Sequence, residues 1–213
     1  MPTINRRRSL AGMLLLLAAV VSDFDPMKLP RARPASGVPV VELAPVFHEP
    51  FVCGEHPYGS LHYVGDALGR DCVVVGGIDP ATDFGFPRPF RTTGAAAADW
   101  YGWHAAVHAP FTGRVIGVHQ NSNENRPGVS GKDLAGFIAF RRGDGLMVTY
   151  AHVTSVSVRV GQQVSAGQVV GIVGNNGHAR MPHIHIGAWR RTTAFQIRWD
   201  LRAEGRVPAL QHQ

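Results

Sequence analysis

From Phe51 onward the chain alternates short apolar runs with Gly, Asp and Asn, and the runs have the length and period of β-strands. Residues 72–75 form a compact, largely β-branched run, residues 114–118 a second and residues 137–140 a third. Residues 145–151 read as a strand with Val148, Tyr150 and His152 on one face. In 156–160, Val156, Val158 and Val160 alternate with Ser157 and Arg159, the pattern of a half-buried strand. Residues 169–173 and 182–189 complete the series, separated by the turn residues Gly174-Asn175-Asn176-Gly177. No segment carries the 3.6-residue period of a long amphipathic helix, and Ala95 to Ala98 suffice for a single helical turn. The pattern predicts a mainly β chain, an antiparallel β-sandwich or barrel-like sheet with few or no helices in its core.

Composition agrees with this class. With 25 Gly, 15 Pro and 17% charged residues, the 213-residue chain is rich in turns and long enough for one domain with a substantial core. The net charge of +6 is carried almost wholly by arginine, since Lys28 and Lys132 are the only lysines. Such a chain is drawn to anionic polymers. It has no zinc-finger, helix-turn-helix or RNA-stacking motif, so no nucleic-acid partner is expected.

The start of the chain sets the expected compartment. Arg6, Arg7 and Arg8 precede an apolar stretch from Leu10 to Val21, the arrangement of an export signal over residues 1–22. An uncleaved signal anchor is the alternative. In either case the rest is expected to act outside the cytoplasm, with no stable membrane span in the mature form. Residues 23–50, rich in Pro, Ala and Arg, read as an extended lead-in. A domain over 51–191 and a C-terminal extension over 192–213 follow. Cys53 and Cys72 are the only cysteines. In an exported protein they leave two readings open, one disulfide or two buried thiols.

Candidate chemistry concentrates in Pro182-His183-Ile184-His185-Ile186. On a strand, His183 and His185 project together while Ile184 and Ile186 face the core. Two converging imidazoles suit a transition metal, zinc above all, although two surface histidines would show the same spacing. His48-Glu49 has no second His at the spacing of a zincin helix, which excludes that class. His104 and His108 bracket a small apolar run and are expected to be hydrogen-bonded or partly exposed. Residues 121–131 read as a solvent loop or as a wall of a cleft.

The run from Tyr150 to Trp189 contains, in order, a Tyr-Ala-His, a Val-x-x-Gly-x-x-Val-x-x-Gly-Gln turn, a Gly-Asn-x-Gly loop and a Pro-His-x-His strand. Upstream, Asp99-Trp100-Tyr101-Gly102-Trp103 leads to Ala109-Pro110 and Gly113-Arg114-Val115. In these motifs the chain resembles the lysostaphin-type zinc metallopeptidases, hybrid-barrel enzymes that cut peptide crosslinks of peptidoglycan. The resemblance implies a zinc ion held by a His and an Asp from the N-terminal part together with His185. It implies that His183 and His152 handle protons and stabilise the oxyanion. For the N-terminal ligands it points to His62 with Asp71, Asp66 being the alternative carboxylate and His56 a substitute for His62. It further implies peptidoglycan stem peptides as substrate, the periplasm or cell-wall space as location, and a monomer. His178 and Met181 depart from the family's usual small or polar residues, which bears on crosslink preference.

Two other readings stay open at this stage. A relative that has lost its ligands would act as a cell-wall-binding or amidase-activating module. The strand-and-turn run 158–173 also resembles biotinyl, lipoyl and phosphotransferase carrier domains. A biotinyl or lipoyl carrier needs a modifiable Lys in a hairpin turn, which this run lacks, and a phosphocarrier conflicts with the export signal.

Overall fold

A computed structural model describes residues 24–33, 36–79, 81 and 85–206; the expected export signal at 1–22 lies outside them. The N-terminal part supplies β1 (Val40–Leu43), β2 (Phe51–Glu55) and β3 (Arg70–Val74). The middle supplies β4 (Ala106–His108), β5 (Gly113–His119), β6 (Phe137–Arg141), β7 (Met147–Ala151) and β8 (Val153–Thr154). Then come β9 (Gln163–Val164), β10 (Val169–Val173), β11 (Ile184–Arg190), β12 (Thr193–Ala194) and β13 (Gln196–Trp199). Helical structure among the described residues is confined to short pieces at Pro26–Lys28, Ala97–Asp99 and Leu201–Glu204. The molecule is mainly β, as the hydrophobic pattern predicts.

One large sheet runs in the order β2-β3-β11-β7-β6-β5-β9, with β12 folded back on β11. Its ladders are antiparallel throughout. A second, antiparallel sheet, β4-β10-β8, and a parallel pair, β1 with β13, complete the architecture. Alternation puts Cys72, Val74, Ile138, Phe140, Val148, Tyr150, Ile184 and Ile186 of the large sheet into one core with Val107, Val153, Val170 and Val173 of the second layer. Burying each of these large apolar side chains contributes roughly 1.5–3 kcal/mol.

Two features differ from the sequence reading. Residues 40–47, expected as lead-in, enter the core: Val41, Leu43, Val46 and Phe47 are buried, and β1 pairs with β13, where Ile197 is buried. This non-local parallel pairing joins the chain's beginning to its end, which local periodicity does not report. Residues 156–160 form no strand. Their alternation still buries Val158, but Ser157 N–H reaches the Val170 carbonyl and Val156 N–H takes the Gln120 side chain, so no ladder forms.

Of the two readings left open for Cys53 and Cys72, the structure shows the disulfide. The two residues lie directly opposite each other across β2 and β3. Cys72 is fully buried on the core side of the sheet, which leaves its neighbour Asp71 on the other face.

On that other face a small apolar cluster of Val64, Ala67, Trp189 and Ala194 holds the segment between β2 and β3. Gly187 of β11 is needed there, because a Cβ at this position would sit 1.3 Å from the Gly65 carbonyl oxygen. The backbone of the 56–69 loop therefore lies flat on β11.

Candidate metal centre

Strand register assembles the centre. His185 is paired with Asp71 on one side and with Ala151 on the other. Asp71 is paired with Gly54, and His56 N–H extends this ladder by bonding the Gly69 carbonyl. With a period of two, His56, Gly69, Asp71, His185 and His183 all face the same side. Ile184 and Ile186 are fully buried on the opposite side, as the His-x-His alternation predicts.

Asp71 is the hub. Its Oδ1 lies 2.9 Å from His185 Nδ1 and 3.5 Å from His183 Nε2, and its Oδ2 lies 3.1 Å from His56 Nε2. Donor atoms of His56, Asp71 and His185 all lie within 4.8 Å of one another. His185 Nε2, on the far side of its ring, is 3.0 Å from Asp66 Oδ1. Gly69 makes room for that ring: a Cβ there would lie 2.9 Å from His185 Cε1.

His152 reaches the site by a different route. An unbroken β7 would have directed it to the core beside Val148 and Tyr150, as the alternation predicts. The strand instead ends at Ala151, and His152 takes a left-handed backbone with φ of 65°. This conformation is disfavoured for a non-glycine residue. It swings the imidazole to the cavity face, where its ring centre lies 4.6 Å from that of His183 and 6.4 Å from that of His185. Its Nδ1–H donates to the Asn176 carbonyl at 2.8 Å, and His183 Nδ1–H donates to the Met181 carbonyl at 2.7 Å. A carbonyl only accepts, so a neutral His152 keeps Nε2 bare as a proton acceptor, whereas His183 Nε2 faces Asp71 Oδ1.

Electrostatics separate the groups. Burial draws the His185 pKa down, but its bonds to Asp66 and Asp71 outweigh this and hold it up at about 9. Burial, reinforced by the neighbouring His183 and His185 charges, pushes His152 down to about 3. Burial would raise Asp71, yet bonds to His183 and His185 keep its carboxyl well below the usual carboxylate range. The result is an ionised carboxylate among imidazoles, next to a neutral base.

The donor set suits zinc. Two imidazoles and one carboxylate match the three-ligand pattern of catalytic zinc, in which a fourth position is left for water or substrate. Of the expected N-terminal ligands, the structure brings Asp71 into the group and leaves His62 exposed and outside it. His56 occupies the place expected for His62. Asp66 touches His185 but lies outside the group of mutually close donors. The signal that selects His56 is that it directly follows a strand paired with the one bearing Asp71, a relation invisible in residue spacing.

The centre opens into a cavity of about 1000 Å³. Gly128 of the 121–131 loop and residues 132–135 just beyond it wall the cavity. The loop is tied to the Gly-Asn-Asn-Gly turn by Asn125, which donates to the carbonyls of Gly177 and Ala179, and by Glu124, which accepts from Asn175 N–H. Met27 and Leu29 close another side, and Phe24 stacks on Trp189. His178 and Met181 also line the cavity. His108, by contrast, is buried away from it, stacked on His48 and bonded to the Val46 carbonyl.

Over 49 residues, 23% of this chain, the sequence is 37% identical to the peptidoglycan DD-endopeptidase ShyA of Vibrio cholerae serotype O1. That stretch is only 11% of the relative's length. Among solved structures, the chain is similar to a putative M23 peptidase from Pseudomonas aeruginosa, with 19% identity and a TM-score of 0.43 over 83% of this chain and 54% of that one. It is also similar to the catalytic domain of lysostaphin from Staphylococcus simulans, with 21% identity and a TM-score of 0.39 over 68% of this chain and 86% of that one. Residues 97–197 match the model of peptidase family M23, a span that contains His152, His183 and His185 but not His56 or Asp71. Over those residues the chain is similar to peptidase family M23.

Proposed function

We propose that this protein is a zinc-dependent endopeptidase that hydrolyses peptide crosslinks of peptidoglycan outside the cytoplasm. The observation that carries this reading is the convergence of His56, Asp71 and His185 donor atoms within 4.8 Å, in one cavity with His152, whose Nε2 is left bare, and His183, whose Nε2 faces Asp71. In this reading His56, Asp71 and His185 hold zinc, with His56 in the role first expected of His62. Zinc so held would polarise a peptide carbonyl and lower the pKa of water towards 7.

The protein's own groups account for the proton traffic. His152, kept neutral by its surroundings, accepts a proton on Nε2 and returns it to the leaving amine. His183, locked by the Met181 carbonyl, presents Nε2 beside Asp71, where its protonated form can hold the developing oxyanion. The cavity is large enough for several residues of a branched stem peptide. The net charge of +6 favours retention on an anionic wall. A complete three-donor set weighs against the ligand-less, amidase-activating alternative.

The test is hydrolysis of purified peptidoglycan, read as newly released amino termini. Zinc-loaded protein is expected to release them, chelator to stop the reaction, and added zinc to restore it. If the zinc-loaded protein and a His185→Ala variant release the same background amount, the proposal is wrong.

A further inference from the structure

We infer that Asp66 is a positioning residue for the metal centre: it accepts a hydrogen bond from His185 Nε2–H and thereby leaves Nδ1 as the metal-facing nitrogen. The inference rests on the reading that His56, Asp71 and His185 hold zinc. The two ring nitrogens of His185 point in divergent directions. Nδ1 lies 2.9 Å from Asp71 Oδ1, and Nε2 lies 3.0 Å from Oδ1 of Asp66, a residue outside the group of mutually close donors. One ion cannot take both nitrogens. A metal next to Asp71 is served by Nδ1, which requires the proton to sit on Nε2. A carboxylate on that second nitrogen fixes the tautomer and ring plane and strengthens the imidazole as a donor.

The surrounding fold holds Asp66 where this role needs it. Its own N–H and that of Ala67 both bond the Tyr63 carbonyl, and Gly69 N–H bonds the Asp66 carbonyl, closing a tight turn. Val64 and Ala67, on either side, are buried against Trp189. Gly65 lies on Gly187 with no room for a Cβ between them. Gly69, at the end of the same turn, is flush with the His185 ring. The loop thus grips one imidazole at two points, its Nε2 and its Cε1 edge. Asp66 itself keeps 40% of its side-chain surface exposed, so its replacement does not open the core.

Zinc affinity, measured by competition with a chromophoric chelator and without reference to activity, tests this. Asp66→Ala is expected to weaken zinc binding about 10–100-fold. Asp66→Asn, which keeps an acceptor oxygen, is expected to recover a substantial part of the loss. X-ray absorption at the zinc edge should find the same number of nitrogen and oxygen ligands from protein in Asp66→Ala as in the parent. Parent-like affinity in Asp66→Ala, alongside loss of zinc in His56→Ala, would overturn this inference alone. One protein ligand fewer in Asp66→Ala would make Asp66 a ligand and overturn it too. A parent protein that retains no zinc would remove the metal reading, and this inference with it.

Discussion

The two halves of the candidate metal centre are built in different ways. One half, His152, His183 and His185, comes from β11 and the end of β7, in the middle of the large sheet and within the stretch that matches the family model. Its neighbours Ile184, Ile186, Val148 and Tyr150 are fully buried, so packing sets its geometry. The other half, His56 and Asp71, comes from the edge hairpin β2–β3, outside that stretch. Only β11 flanks this hairpin in the sheet; β3 buries Cys72 and Val74 in the core, and a disulfide together with a small satellite cluster adds further support. A central sheet positions by burial between two neighbours; an edge hairpin adds covalent and local bonds to the burial it has.

This contrast can be broken most severely at the hairpin. His56→Ala is expected to lose zinc and to drop crosslink cleavage to the level of chelated protein, whereas His62→Ala should stay within about twofold of the parent, as an exposed substitution does. Zinc content and initial rates measured side by side decide it, and the opposite ranking would restore His62 as the ligand.

In the central half the expected failure is of another kind. His152→Ala should retain its zinc yet lower the rate about 10²–10⁴-fold, because it removes a proton carrier and no ligand. Loss of zinc in this variant would show that the two halves are not separable.

The disulfide tests the means of support. Replacing Cys53 and Cys72 by Ser opens a link between residues 19 apart, which loop-closure entropy values at about 3 kcal/mol. Hydrogen exchange should rise first in β2 and β3, with β7 and β11 still protected. Uniform loss of protection would mean that the disulfide supports the whole core and not the edge hairpin alone.

The smallest effect concerns pH in the metal-free protein. His185, held up at about 9 from an ordinary 6.5, contributes stability that is complete below pH 6.5 and fades as the pH rises through 9. Asp71, held below the carboxylate range, acts on the other limb: its contribution is present near neutrality and is lost in acid. Between pH 6.5 and 9.5 the metal-free protein should therefore lose on the order of 2 kcal/mol, read as a falling melting temperature. With zinc in the proton's place the same alkaline limb should be flat.

Legibility in the sequence follows the same division. His183 and His185 are readable because a two-residue period on one strand is a local property. Asp71 is readable because it precedes an apolar run. His152 is readable as a residue, but its direction depends on a left-handed backbone that strand alternation does not anticipate. His56 is the least readable, since its partnership with Asp71 spans a loop and exists only through pairing of two strands. The β1–β13 pair is hidden for the same reason at greater distance.

His56 N–H bonded to the Gly69 carbonyl has one more consequence. The bond closes the ladder at the root of the loop, so everything from Pro57 to Leu68 hangs beyond the point that fixes the distance between His56 and Asp71. That stretch can lengthen or shorten without moving the two donors apart, as long as the hairpin root and the seats of Val64, Asp66 and Ala67 survive. The two donors behave as a hinge pin does in a gate. In this chain the length of the intervening text is therefore a poor guide to which histidine stands beside Asp71, and the pairing of the strands on either side of it is a good one.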